Sequence, residues 1–384
     1  MALCLSAGAS AAQEQSGDLD WRPQGVVPAY AEAGPLIRID QGHGSLQTIE
    51  GRYAGFAALL RADGYRVEAG RGRLDEAGAL RDVAVLVVVN PAAPEDGSRI
   101  SAFDPGEIEA AANWVSQGGS LLLVADHAPH GSAAEALAER FGVKMGKGYA
   151  FQRIGDDLTA NLTFPSQALG DHPIIAGRNE AERVRVVKTF TGQSLEGPAG
   201  STILMAMSAD ALEATDREAL QAVREGLARG ERAETLFSGH TRPALPAQGL
   251  AFSFGRGRVV VLGEAAMLTA QIIRFPDQPD RAPVRFGLNT EGHDDQQFAL
   301  NLAHWLSRDG MSAPDPYEPM FSALCREVGF CLHEKGQKRV IAALPGGLDA
   351  AVRAVLAAEG VDEPNAPGDL KRAVRDCLKS NLPA

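Results

Sequence analysis

Two clusters of acidic and histidine residues carry side chains that could do chemistry, and each directly follows a short apolar run. Asp40 and His43 lie in the motif DQGH after the run PLIRI, and Asp126, His127 and His130 lie in the motif DHAPH after the run LLLVA. Short apolar runs bounded by glycine are typical of buried strands. Because ligands bind beyond the carboxyl ends of the strands in open α/β sheets, the two clusters predict one polar site at that edge. An enzyme is the leading hypothesis.

A metal centre is the first chemistry that these residue types suggest. Asp40, His43, Asp126 and His127 can supply the three protein ligands that a catalytic zinc keeps beside its water. The metal would lower the pKa of that water toward about 7 and create a hydroxide nucleophile. We therefore predict a divalent metal, with zinc as a candidate, and catalytic roles for His43, Asp126 and His127. The alternative is structural: Asp40 caps a turn, His43 is an ordinary loop residue and the second cluster is a hydrogen-bonded network.

Another carboxylate follows a third apolar run. Glu264 comes after residues 258–262 beside small alanines, and we predict it to be a general base or a further ligand. A cap on the turn to Met267 is the alternative. The residues predicted to bind substrate are Gln41, His130, Gln193 and His293. A β-turn would explain the segment around Gln193 equally well.

A serine esterase is a further alternative. Ser45 and Ser132 lie close in sequence to His43 and His130, and such pairs can form a nucleophile and its base. The chain has no GxSxG elbow, however, and Ser132 fits the N-cap of a helix.

Composition narrows the class of partner. The chain has 384 residues, 45% of them hydrophobic, and a net charge of −12. An acidic balance argues against nucleic acid, which recruits basic patches. No run reaches the roughly 20 apolar residues that span a bilayer, so we predict no membrane insertion. A small-molecule or polymer-derived substrate is expected, and the oligomeric state stays open.

The start of the chain suggests export. Residues 1–12 are small and apolar and resemble the end of a signal peptide with a cleavage site near Ala9 to Ala11, although a basic n-region is missing. We predict residues 1–24 to be a signal-peptide remnant and disordered leader, and a periplasmic or secreted location. A simple disordered leader is the alternative.

Strand and helix patterns alternate through residues 25–311. Alternation with short links predicts a three-layer α/β domain around a parallel sheet with right-handed crossovers. Strands are expected at 35–40, 65–68, 83–89, 121–125, 184–190, 202–207, 249–254 and 258–262, and helices at 49–63, 104–117, 132–140 and 294–306. Residues 312–384 are predicted to be a proline-rich linker and a small helical appendage. If the protein is exported, two of Cys325, Cys331 and Cys377 could pair there.

Several motifs together resemble the class I glutamine amidotransferase-like superfamily, and most closely a bacterial, largely uncharacterised branch of it. They are IDQGH at 39–43, DPGEI at 104–108, GGSLLLVADH at 118–127, DHPI at 171–174, GRVVVLGEAAM at 257–267 and NLAHWL at 301–306. The chain is also distantly similar to the amidotransferase-like domain of intraflagellar transport proteins. The resemblance covers residues 35–307 and implies a flavodoxin-like core.

The chain departs from that superfamily at the nucleophile. Amidotransferases carry a cysteine on the sharp turn after a core strand, where this chain has Asp126 and His127 and no cysteine anywhere in residues 5–324. Hydrolysis of glutamine through a thioester is therefore excluded. The leading hypothesis is an exported hydrolase that acts on an ester, amide or glycan-derived bond. The alternative is a non-catalytic ligand-binding or assembly module on a scaffold that has lost its nucleophile.

Overall fold

The computed structural model describes residues 14–31, 33–155, 157–307, 318–330, 332 and 334–381. The chain divides into two compact units, Met1–Met311 and Ser312–Ala384. The strands are β1 Glu14–Gly17, β2 Leu36–Asp40, β3 Arg66–Gly70, β4 Val83–Val89, β5 Ser120–Val124, β6 Lys144–Met145, β7 Tyr149–Ile154, β8 Asp157–Thr159, β9 Thr163–Pro165, β10 Val186–Lys188, β11 Leu195–Glu196, β12 Thr202–Ala206, β13 Leu212–Ala214, β14 Thr241–Pro243, β15 Ala247–Phe254, β16 Gly257–Leu262, β17 Ala270–Arg274 and β18 Val284–Gly287. The helices are α1 Ala54–Ala62, α2 Pro105–Ser116, α3 His130–Arg140, α4 Pro173–Ala176, α5 Arg217–Ala228, α6 Ala233–His240, α7 Asp295–Ser307, α8 Glu318–Ala323, α9 Glu334–Ala343, α10 Leu348–Ala358 and α11 Gly368–Asn381. Within the described residues, none of these helices combines the length and hydropathy that crossing a membrane requires.

The central sheet has a parallel half and an antiparallel half. Strands β3, β2, β4, β5 and β16 lie side by side in that order and run parallel. Strands β15, β11, β6 and β12 extend the sheet with antiparallel pairs. The order β3-β2-β4-β5 follows the flavodoxin-like pattern, in which the second strand of the series lies at the edge. The predicted fold class, a flavodoxin-like α/β domain, is confirmed.

Each face of the parallel half is covered by a pair of helices, as the continuous apolar runs predict. On one face, Ile37, Ile39 and Val124 pack with α1 and α7. On the other, Leu86 and Leu123 pack with α2 and α3. Because successive side chains of a strand point to opposite faces, the parity of a residue decides which helix pair it meets.

The sequence predicts the first turn of α2 correctly and the first residue of α3 incorrectly. Asp104 and Glu107 form the capping box that the motif DPGE predicts, with Pro105 in the first turn. In α3 the expected N-cap, Ser132, is wrong, since the helix begins at His130. The backbone N–H of Ala133 already donates to the carbonyl of Pro129, which places Ser132 inside the first turn.

The leader is more ordered than its composition predicts. Residues 14–17 form β1, which pairs antiparallel with β17 in a three-stranded sheet with β18. The ring of Trp21 packs against the core of the larger unit. Disorder through residue 24 is therefore wrong for the described part, because backbone pairing with β17 orders a segment that has no apolar alternation of its own. Residues 1–13 lie outside the described residues.

The second unit is helical, as expected. Helices α8 to α11 enclose a small core that includes Leu324, Val340, Val355 and Leu378. Cys377 is buried there. Cys331 and the side chain of Cys325 lie outside the described residues, so the predicted pairing of these cysteines stays a prediction.

Candidate active site

The parallel strands deliver their following residues to one edge of the sheet at the same level. Val124 of β5 pairs with Val89 of β4 on one side and with Leu262 of β16 on the other. The residues just beyond these ends are Asn90, Ala125-Asp126 and Gly263-Glu264. The polar side chains of Asn90, Asp126 and Glu264 therefore converge at the carboxyl edge because β4, β5 and β16 end in register.

An open cavity of about 580 Å³ lies at this edge. Its wall includes Asn90, Asp126, His127, His130 and Glu264. The volume falls within the roughly 300–1,000 Å³ that small-molecule sites occupy. Of the residues predicted to act in catalysis, three line this cavity, and His43 does not.

Asp126 is held by the two neighbouring strands. Its Oδ2 accepts from Asn90 Nδ2 at 2.6 Å, and its Oδ1 accepts from the backbone N–H of Ala265 at 2.8 Å. Its own backbone N–H donates to Asn90 Oδ1 at 2.8 Å. These bonds tie the ends of β4, β5 and β16 together and fix the carboxylate at the cavity wall.

His127 is a half-buried imidazole whose orientation is fixed on two sides. Its Nδ1 donates to the carbonyl of Ala128 at 2.9 Å, and its ring stacks on Tyr149 with centroids 3.7 Å apart. A carbonyl only accepts, so Nδ1 carries the hydrogen and Nε2 of the neutral ring keeps the lone pair. Burial lowers the pKa of His127, and this outweighs the opposing effects of the Ala128 carbonyl and Asp126. His127 is therefore suited to act as a neutral proton acceptor at pH 7.

His130 follows the same pattern one helical turn along. Its Nδ1 donates to the carbonyl of Pro91 at 3.2 Å, which ties the start of α3 to the end of β4. Neither His127 nor His130 uses Nε2 in a hydrogen bond with a described residue. The cavity wall thus holds two imidazoles, each with one nitrogen fixed by the backbone and one available.

Glu264 caps the turn to Met267, which was the structural alternative to a general base. Its two oxygens accept from the backbone N–H groups of Ala266 and Met267 at 2.7 and 2.8 Å, and the residue is 1% exposed. Burial and the nearby charge of Asp126 raise the pKa of Glu264 well above its ordinary value. A carboxyl group with both oxygens occupied anchors the loop, so the role of general base does not fit it.

Gln193 holds the Asp126 loop in place through hydrogen bonds with the backbone. Its Nε2 donates to the carbonyls of Ala125 and Asp126 at 2.8 and 3.0 Å, and its Oε1 accepts from the backbone N–H of Lys147 at 2.7 Å. The residue is fully buried. The prediction that Gln193 contacts substrate is wrong, because its amide groups are used by the backbone.

The first cluster forms a separate buried chain of side chains. His43 Nδ1 lies 2.9 Å from Asp40 Oδ2, and His43 Nε2 lies 3.0 Å from Glu107 Oε1. The ring also packs on Phe103 with centroids 4.3 Å apart. Burial alone would lower the pKa of His43, but hydrogen bonds and charge from Asp40 and Glu107 outweigh it and raise the pKa.

The four predicted metal ligands therefore do not form one site. Ile37 and Ile39 face α1 and α7, so Asp40 faces α2, where Glu107 lies. Both ring nitrogens of His43 are occupied by carboxylates. Among the described residues, no three His, Cys, Asp or Glu side chains are arranged to hold a metal ion. The donor set does not fit the predicted metal, and we derive no step through it.

The remaining candidates have local structural partners. His293 lies 2.7 Å from Thr290 Oγ1 through Nε2 and 3.0 Å from Asp295 Oδ2 through Nδ1, just before α7. Gln41 does not line the cavity, and its Nε2 is buried without a hydrogen-bond partner in the described structure. Ser45 bonds with Gln47, and neither it nor Ser132 bonds with a described histidine. Neither candidate serine is therefore paired with a base in the part of the chain that the structure describes.

Sequence reasoning missed Asn90 and Glu107 as partners of the two clusters. Asn90 follows the run VAVLVVV directly, so the strand-end rule that found Asp126 applies to it as well. For Glu107, the motif DPGE predicts only the capping box of α2. Its second oxygen bonds with His43, which lies 64 residues earlier, and the sequence carries no signal for that contact.

Comparisons with known proteins concern the fold alone. No protein-family model matches the chain, and no curated protein matches it. The mmIFT52 N-terminal domain is similar over 71% of this chain and 97% of its own length, with 12% identity and a TM-score of 0.46. A ThuA-like protein from Bacteroides uniformis is similar over 73% of this chain and 91% of its own, with 10% identity and a TM-score of 0.36. A β-galactosidase from Bacillus circulans sp. alkalophilus is similar over 72% of this chain and 31% of its own, with 10% identity and a TM-score of 0.35.

Proposed function

We propose that this chain is an exported hydrolase of small molecules, on a scaffold of the class I glutamine amidotransferase-like kind, and that His127 is its acid–base group. The bond that it cleaves is an ester, an amide or a glycan-derived linkage. The observation that carries the proposal is the state of His127: a half-buried, neutral imidazole with Nδ1 fixed to a carbonyl and Nε2 unpaired among the described residues, at the wall of a 580 Å³ cavity.

The chemistry follows from that lone pair. Nε2 of His127 accepts a proton from water, the water oxygen attacks the electrophilic carbon, and the protonated imidazole returns the proton to the leaving group. Asp126 lies next in sequence, and its negative charge stabilises the protonated ring. His130 offers a second unpaired Nε2 on the same wall. These steps need no thiol and no metal ligand, and none is assigned.

The test is hydrolysis by the purified chain of p-nitrophenyl esters, p-nitroanilides and p-nitrophenyl glycosides. We expect turnover of one class, with His127→Ala lowering kcat by about 100-fold or more. His240→Ala is the matched control, because His240 is exposed at the end of α6 and does not line the cavity. A chelator is expected to leave the rate unchanged. Turnover equal in the wild type and His127→Ala, or none on all three classes, contradicts the proposal.

A non-catalytic binding module is the second candidate, and the two carboxylates favour it. Both carboxyl oxygens of Asp126, and both of Glu264, accept hydrogen bonds from N–H groups of the protein itself. Carboxylates tied in this way shape a pocket without taking part in bond cleavage. Ligand binding in the absence of any His127-dependent turnover would select this candidate.

Export rests on the small apolar segment of residues 1–12, which lies outside the described residues. The expected outcome is that the chain is recovered from the periplasmic or secreted fraction of its host. Recovery only with the cytosol would remove export and leave the chemistry of His127 untouched.

A further inference from the structure

Three cationic side chains line the cavity that His127 and His130 also line, although the chain as a whole is acidic. Arg52, Lys188 and Arg285 line the cavity with Asp126 and Glu264. The chain carries 37 Lys and Arg against 49 Asp and Glu, so most arginines can find an acidic partner. Arg73, Arg99 and other arginines of this unit do pair with carboxylates. A surplus of cations in one cavity is therefore not explained by composition.

Two of these cations have no acidic partner among the described residues. Arg52 is half-buried just before α1 and makes no hydrogen bond or ion pair with a described residue. Lys188 is half-buried at the end of β10, and its ammonium lies over the ring of Phe190, 5.4 Å from the centroid. Arg285 lies 3.5 Å from Asp18 and is thereby partly neutralised. Unpaired, partly desolvated cations attract an anion more strongly than cations at the open surface.

We infer that Arg52 and Lys188 form an anion subsite, so that the ligand of this cavity is a small molecule with a carboxylate or phosphate group. A guanidinium group binds either anion through two parallel hydrogen bonds, and an ammonium group adds a point charge. The rings of Phe190 and Phe286 also line the cavity, with centroids 5.7 Å apart, and supply apolar contact for the rest of the ligand. The statement that the bound ligand faces His127 rests on the proposed function. The binding of an anion by Arg52 and Lys188 does not.

Titration calorimetry on the full chain tests the subsite with three sugars that share the glucose ring and differ at C6: D-glucose, D-glucuronate and D-glucose 6-phosphate. We expect both anionic sugars to bind at least about tenfold more tightly than glucose, the step that one charge-assisted hydrogen bond supplies. The stronger of the two tells a carboxylate from a phosphate ligand. Binding should weaken in 0.5 M salt, because both cations are still partly exposed and added ions screen their attraction for the anion.

Variants make the inference specific to two residues. Arg52→Gln and Lys188→Gln are each expected to remove most of the preference for the anionic sugars. Arg229→Gln and Lys144→Gln are the matched controls, since both cations are more than half exposed and lie outside the cavity. Equal affinity for the three sugars, no binding of any of them, or a preference that survives both variants overturns the inference.

The two proposals fail separately. Binding of an anionic sugar that depends on Arg52, without hydrolysis that depends on His127, keeps the anion subsite and removes the hydrolase. Hydrolysis that depends on His127, with no effect of Arg52→Gln or Lys188→Gln on the three sugars, keeps the hydrolase and removes the subsite.

Discussion

Asn90 and Asp126 are joined by two hydrogen bonds that run in opposite senses. The amide of Asn90 donates to the carboxylate of Asp126, and the backbone N–H of Asp126 donates back to the amide oxygen of Asn90. The pair closes the gap between neighbouring parallel strands just where their ladder ends. It also consumes one oxygen of the carboxylate that lies beside His127, so the geometry of the cavity wall depends on Asn90.

Removal of the Asn90 side chain should therefore destabilise the fold. Asn90→Gly is the informative variant, because Asn90 has a φ of 41° and alanine would add backbone strain there. Loss of a buried hydrogen-bonded pair with a charged partner predicts a decrease of about 1–3 kcal/mol in the free energy of unfolding, measured with urea. Asn161→Gly, at an exposed asparagine whose side chain makes no hydrogen bond with a described residue, is the control. Equal losses in both variants would contradict the role of Asn90.

The buried chain Asp40–His43–Glu107 predicts a pH dependence of stability. The pKa of His43 in the folded protein is above the 6.5 of an ordinary histidine, despite burial, because two carboxylates favour the charged ring. Between pH 6.5 and that raised pKa the folded state binds more protons than the unfolded state. Its stability therefore falls as the pH rises through this window. Arg73 lies 3.7 Å from Glu107 and competes with the His43 ring for that carboxylate.

Urea unfolding of the wild type and His43→Gln at pH 6 and pH 9 measures this effect. The wild type is expected to lose more stability than the variant between the two pH values, by about 1.4 kcal/mol for each unit by which the pKa is raised. His240→Gln, at an exposed histidine, should behave as the wild type. Identical pH slopes in the wild type and His43→Gln would show that the ring is not charged in this chain of contacts.

The sequence was sufficient to predict which residues follow the strand ends. We did not use it to predict the sheet face to which each of those side chains points. The run LLLVA followed by DH correctly predicts that Asp126 and His127 lie at the carboxyl edge. The run LIRID places Ile37 and Ile39 on one face and so places Asp40 on the other, which the two-residue period of a strand would have indicated. The single metal site combined residues that belong to opposite faces of the sheet.

Other parts of the site could not follow from spacing. His43 meets Glu107 because the first turn of α2 packs against the loop after β2, and spacing in the sequence does not reveal that packing. Arg52 and Lys188 belong to elements that are not neighbours in the chain and share only the cavity. Whether a lone cation has an acidic partner is a property of the fold, so the sequence could not single out these two.

The lowered pKa of His127 predicts how hydrolysis depends on pH. Burial favours the neutral ring, so the base stays deprotonated to a lower pH than an ordinary histidine does. The half-maximal point of kcat/KM on the acidic side should lie below pH 6.5, since that profile reports the free enzyme. The measurement is a pH series on the substrate class that is cleaved. A half-maximal point above pH 6.5 would contradict the assignment of His127 as the base.

Gly131 predicts an exception to the usual benefit of replacing a helical glycine. A Cβ there would lie 2.8 Å from Gln193 Nε2 and 2.9 Å from the carbonyl oxygen of Asp126, so α3 approaches the Asp126 loop only because this residue has no side chain. Gly239 in α6 has nothing within 4 Å of the same position. Gly239→Ala should stabilise the fold by about 0.5–1 kcal/mol, whereas overpacking should make Gly131→Ala destabilising by about 1–3 kcal/mol. Because the strain falls on the loop that positions His127, Gly131→Ala should also reduce hydrolysis, and Gly239→Ala should not. Stabilisation of both variants in urea would show that α3 can move away from the loop without cost.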